Sequence, residues 1–200
     1  TTLGGIYQSE IEIETGKLLT PDQMIWSGTG GRYPEAPHLY KINGRYYLMI
    51  AEGGTEYGHM ETIARSSSPW GPFEACPHNP ILTHRNLGAN LIQGTGHGDL
   101  VEAHDGSWWM VFLGFRCMRQ FAQYHHLGRE TFLAPVTWDS DGWLTVYQDG
   151  TVDVIMEADG LPEHAWEDEP VRDDFVIPTL NLCWNFLRNP SADDWTLQER

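Results

Sequence analysis

The chain has 200 residues, 40% hydrophobic and 12% aromatic with nine Trp, which is enough for a core and excludes a disordered tail. Its formal charge of −16 argues against nucleic acid and against an anionic membrane surface, because both need clustered Lys and Arg. Twenty-one Gly, twelve Pro and no run of about eighteen apolar residues offer no membrane-spanning helix and predict short strands joined by turns.

The alternation over 6–14 predicts a half-buried strand. Thr15-Gly16-Lys17 turns, a short strand follows near Met24-Ile25-Trp26, and Gly28 to Gly31 read as a flexible loop. A complete unit comes next. Strands are expected over 37–42 and 45–51 around an Asn43-Gly44 hairpin turn, then a third over 59–65 and an outer segment from Gly71. A second unit repeats the order, with strands over 99–103, 107–114, 129–138 and 143–147 and an Asp105-Gly106 turn. The first thirty residues match the last two strands of such a unit.

Past Gly160 the texture becomes acidic and turn-rich, which reads as a linker over 161–174. From Phe175 onward Leu182, Trp184 and Phe186 alternate, which predicts a strand of a second domain. Cys76, Cys117 and Cys183 form no C-x-x-C pattern, so free thiols and a lean toward a reducing, cytoplasmic compartment follow.

The repeat has consequences for chemistry. Tyr46-Tyr47-Leu48-Met49 is answered sixty-two positions later by Trp108-Trp109-Met110-Val111, and the same offset superimposes Glu35 on His97. Two units thus carry an ionisable group at one expected structural address. Four-stranded units in radial repetition are propeller blades, and about four to eight are needed for closure. Two and a half blades predict a piece of a longer protein.

Glu35 lies between Pro34 and Pro37, which restrict the backbone on both sides. A partly desolvated carboxyl in such a frame can act as a general acid; the plain alternative is a strand-end Glu in a surface turn. His97, between Gly96 and Gly98, could orient a carboxylate, bind a metal or simply pack. Arg129 could grip vicinal sugar hydroxyls through its planar fork, or pair with Glu130 or another acid. Ala51-Glu52-Gly53-Gly54-Thr55 lacks any phosphate-binding pattern, His125-His126 reads as a solvated loop pair, and no G-x-S-x-G elbow exists.

Taken in order, Pro34-Glu35-Ala36-Pro37-His38-Leu39-Tyr40, Ala51-Glu52-Gly53-Gly54-Thr55, Ile63-Ala64-Arg65-Ser66, Gly96-His97 and Leu127-Gly128-Arg129-Glu130-Thr131 resemble the family 43 glycoside hydrolases, the β-xylosidases and α-L-arabinofuranosidases above all. The resemblance runs over nearly all of 4–150, and the tail from Asp173 is similar to the start of the β-sandwich that follows the propeller in such xylosidases. It implies an all-β fold. Residues 1–160 would be part of a five-bladed β-propeller, 161–174 a linker and 175–200 the beginning of the sandwich. It implies an inverting glycosidase acting on xylo-oligosaccharides or arabinosides, with no cofactor for the chemistry and no nucleic acid or membrane partner.

Residue by residue, the resemblance makes Glu35 the general acid. It makes Arg129, Thr55 and His97 substrate-binding residues, with His97 also a ligand of a structural calcium ion at the propeller axis. Ala36 and Gly98 depart from the family's usual Gly and Ala, small for small. The family's general base and pKa-modulating acid would lie upstream of Thr1, so the 200-residue chain is expected to be inactive alone. The rival expectation is a carbohydrate-binding propeller without catalysis, which an upstream first-blade aspartate would distinguish.

Overall fold

The computed structural model describes residues 4–119, 124–157, 160–168 and 170–198. Among these the protein is all-β, with eleven strands and no helix, and the chain divides into two units, Thr1–Leu161 and Pro162–Arg200.

The first unit carries three antiparallel sheets in chain order. β1 (Ile6–Gln8) pairs with β2 (Gln23–Trp26). The alternation expected over 6–14 yields only this short strand. Beyond Gln8 an isolated Ile11–Leu18 bridge remains, and Ile13 is exposed, because no layer covers that face. The second sheet runs β3 (Glu35–Ile42), β4 (Arg45–Glu52), β5 (Met60–Ser66) and β6 (Glu74–Ala75), with β7 (Leu82–Thr83) pairing the start of β5. The third runs β8 (Ile92–Glu102), β9 (Trp108–Arg116), β10 (Glu130–Trp138) and β11 (Leu144–Val146). Asn43 and Gly44 both take positive φ (49° and 80°) between the paired Ile42 and Arg45, which a tight hairpin of this twist requires.

β4 is buried on both faces, and its period of two divides the core. Tyr47 and Met49 join Ile63, Ile92, Met110, Phe112, Leu144 and Val146 in one cluster. Leu48 and Ile50 join Ile6 in another, backed by Ile25, Trp26 and Phe73. Each fully buried aliphatic side chain of this kind contributes ~1.5–3 kcal/mol.

The register corrects the expected common address. On β4 and β9 the sixty-two-residue offset holds, since Leu48 and Met110 pair with Leu39 and Leu100. On β3 and β8 the equivalent partners align one residue short of it. Glu35 faces Ala51, and Gly96 faces Leu113. The cause is the turn: two residues (43–44) separate the paired Ile42 and Arg45, whereas three (104–106) separate Ala103 from Ser107, to whose carbonyl the Ala103 N–H donates. Gly96, not His97, is therefore the register counterpart of Glu35. His97 stands where Ala36 does, and both residues take positive φ (54° and 49°) inside β-bulges.

In the second unit the strand expected around Leu182, Trp184 and Phe186 is absent among the described residues. An isolated strand has no partner for its backbone groups. The aromatic residues pair locally instead, Phe175 with Trp184 and Phe186 with Trp195, and Trp184 donates its indole N–H to Asp173 Oδ2 at 2.7 Å. The cysteines are unbonded, Cys76 and Cys117 buried and Cys183 exposed.

Candidate functional site

β5 carries the polar centre of the first unit. His59, just before the strand, and Glu61, two residues on, are both fully buried. Strand periodicity puts them on one face, the face of Ile63, which packs on the third sheet. Ala51 stands between Glu61 and Glu35, paired with both, so the three form one row across β5, β4 and β3.

His59 Nδ1 lies 2.9 Å from the Gly94 carbonyl. A carbonyl only accepts, so Nδ1 carries the hydrogen and Nε2 is left as an acceptor. Burial drives the imidazole pKa down, which keeps it neutral. Its bond to Gly94 and the Glu35 carboxylate act the other way, while His97 and Arg129 oppose charging. Glu35, His97 and Arg129, from β3, β8 and the edge of β10, therefore all lie within electrostatic reach of one buried ring.

Glu35 is half-buried, and His97 and Arg129 are exposed. Glu130, the expected partner of Arg129, is instead engaged by Arg116 in a two-point ion pair. Thr55 is exposed in the loop after β4. That loop is tied to the preceding one by an Arg32–Glu56 ion pair and by the Gly53 N–H donating to the Arg32 carbonyl at 2.7 Å.

The Gly28–Gly31 loop, expected to be flexible, is pinned. The fully buried Glu52 carboxylate accepts from the Thr29 N–H at 3.0 Å, the Thr29 hydroxyl at 3.0 Å, the Gly31 N–H at 2.8 Å and the Thr62 hydroxyl at 2.7 Å. Glu61 is in a different state. Burial pushes its carboxyl up from 4.5 to about 8, helped by Glu52 and opposed by hydrogen bonds from the Gly98 and His97 backbones. On the outer part of the same seam the Tyr40 hydroxyl donates to Asp99 Oδ1 and accepts the Leu100 N–H at 2.9 Å. Burial and the Asp99 bond both raise its pKa.

The described residues by themselves show no calcium site. Ca²⁺ takes about six to eight oxygen ligands, whereas His97 offers one nitrogen and Glu52 is already saturated by hydrogen bonds. Among the described residues no group of three or more His, Cys, Asp or Glu is placed to hold a metal.

Sequence reasoning missed Glu52, His59 and Glu61. Their one legible signal was charge or polarity within a run, Ile50 to Ala64, whose other strand residues are apolar apart from Thr62. A polar residue in a strand buried on both faces needs an internal partner.

Residues 1–144 match the family model described as "Glycosyl hydrolases family 43". The chain belongs to this family. It is 50% identical over 197 residues to the "Non-reducing end alpha-L-arabinofuranosidase BoGH43B" of Bacteroides ovatus, covering 98% of this chain and 37% of that protein. It is 38% identical over 208 residues to a "Xylan 1,3-beta-xylosidase" of a Vibrio species, covering 98% and 38%. Among solved structures, the "xylan beta-1,4-xylosidase from Bacillus Halodurans C-125" superposes with a TM-score of 0.88 at 42% identity, covering 98% of this chain and 38% of that one. The chain thus spans well under half the length of these relatives.

Proposed function

We propose that this chain is part of a glycosidase that hydrolyses terminal β-1,4-xylosyl residues of xylo-oligosaccharides with inversion, with α-L-arabinosides as a second substrate class. The observation that carries the reading is the row Glu35–Ala51–Glu61, whose buried end accepts the N–H of Gly98, the residue after His97, in a chain that matches the family over residues 1–144. The activities named for the relatives, arabinofuranosidase and xylosidase, support the two substrate classes.

In this reading Glu35 protonates the departing glycosidic oxygen. An inverting mechanism then needs a second carboxylate, about 6.5–9.5 Å away across the bond, to activate water. That group is assigned to the part of the longer protein that precedes Thr1, so the 200-residue chain alone turns nothing over. Arg129 and Thr55 bind sugar hydroxyls, and exposed His97 lines the pocket beside Glu35. No step is assigned to a metal. The frame is a five-bladed propeller to which the first unit contributes two blades and part of a third, 161–174 serves as a linker, and 175–200 begins a β-sandwich.

The test is the anomer first released by the full-length protein from an aryl β-xyloside, followed by proton NMR. Inversion gives α-xylose before mutarotation. First release of β-xylose, or no turnover of xylosides and arabinosides alike, would contradict the reading.

A further inference from the structure

β8 is regular at both ends and broken in the middle. Its register against β9 shifts between Gln93 and Gly96 and again between Gly96 and Asp99. Gly94 and His97 within the break take positive φ, 62° and 54°. Each bulge withdraws backbone groups from the ladder, and buried backbone groups must find partners elsewhere. Here the partners are side chains of the neighbouring sheet. His59 Nδ1 donates to the Gly94 carbonyl at 2.9 Å, and Glu61 Oε2 accepts the Gly98 N–H at 2.9 Å.

Between these anchors the backbone presses on the His59 ring. A Cβ built on Gly96 would lie 2.9 Å from both Nδ1 and Cε1, closer than real side chains approach, so glycine is what lets the ring seat. His59 and Glu61 are wholly inaccessible to solvent. His97, held between the anchors, is exposed. A rigid buried pair thus grips both flanks of one exposed imidazole, and Ala51 alone separates Glu61 from the row position of Glu35.

We propose that Glu61, with His59 as second anchor, is a positioning residue of this site: through the Gly98 and Gly94 backbones it fixes His97 relative to Glu35. The inference rests on the glycosidase reading for its kinetic consequence, but the clamp itself can be read without turnover.

The experiment uses the full-length protein in wild-type form and as Glu61→Met, Glu61→Asp, Glu61→Gln, His97→Ala and the Glu61→Met/His97→Ala double variant. Glu61→Met keeps the buried volume and loses the acceptor. Glu61→Asp keeps the carboxyl and shortens its reach. Amide hydrogen exchange at residues 97 and 98 should accelerate about tenfold or more in Met and Asp, and recover in Gln, which retains an acceptor oxygen. On an aryl xyloside, kcat/KM per folded enzyme should fall about tenfold or more in Glu61→Met, and the double variant should lose little beyond His97→Ala alone, since both act through one group. Unchanged exchange in both Met and Asp would overturn the clamp, whatever the activity. Full additivity in the double variant would overturn the link to His97. Wild-type protein that is inactive while exchange responds as expected would sink the glycosidase reading and leave the clamp standing.

Discussion

Glu35 and Glu61 occupy one row of the second sheet, with the methyl group of Ala51 between them. Two strand spacings of about 4.8 Å separate their backbones, yet their surroundings differ: Glu35 is half-buried at a bulge, and Glu61 is sealed against β8. One row therefore holds a carboxyl that can reach a ligand and a carboxyl that cannot.

The burial of Glu61 has a pH signature. Its pKa in the folded protein is raised from 4.5 to about 8 by burial, with the nearby Glu52 adding to the rise. A raised pKa means that the folded state holds the proton more tightly than the unfolded chain does. The stability linked to it is complete below about pH 4.5 and is lost as pH rises through 8. Urea midpoints measured from pH 5 to 9 should fall across that window and fall less in Glu61→Gln. Equal slopes in the two proteins would show that Glu61 ionises freely in the folded state.

Glu52 should be the costlier carboxylate to remove. It satisfies two backbone N–H groups and two hydroxyls in a buried setting, and truncation leaves those donors unpaired. Glu52→Ala is expected to lower stability by roughly 3–5 kcal/mol, read from chemical denaturation. It should also raise amide exchange at Thr29 and Gly31. A loss under about 1 kcal/mol would mean that water replaces the carboxylate easily.

How much of this was legible beforehand varied with the physics. The hairpin turns were visible because Asn43-Gly44 and Asp105-Gly106 are turn dipeptides, and Asn43, Gly44 and Gly106 do take positive φ. The start of β8 was not. A strand was expected from Asp99, yet β8 begins at Ile92, because Gly94, Gly96 and Gly98 look like a loop until side chains of another sheet are known to hold them. The shared address of Glu35 and His97 failed by one residue for a related reason. Offsets in sequence count turn residues, and the two turns differ in length. Glu35, His97 and Arg129 were singled out through ordered motifs, whereas Glu52, His59 and Glu61 were passed over because charged and polar groups are read as surface by default.

Arg65 joins the two larger sheets and offers an independent check on their packing. Its guanidinium lies 4.0 Å from the Trp143 ring centroid and donates to the Asp141 carbonyl at 2.6 Å and to Glu74 Oε2 at 3.2 Å. The side chain is 14% exposed whereas that of Glu74 is 66% exposed, so the carbonyl and the ring outweigh the ion pair. Arg65→Ala should cost about 2 kcal/mol and Glu74→Ala under about 0.5 kcal/mol in the same denaturation assay. Equal losses would assign the stabilisation to the ion pair instead.

The most direct test of Glu35 as proton donor is the leaving-group dependence of Glu35→Ala in the full-length protein. A donor contributes about 10²–10⁴-fold when the departing oxygen is basic. Turnover of xylo-oligosaccharides should therefore fall by roughly a thousandfold, while activated aryl xylosides, whose phenolate leaves unaided, should keep activity within about tenfold. The same fractional loss on both substrates would remove Glu35 from the acid's role.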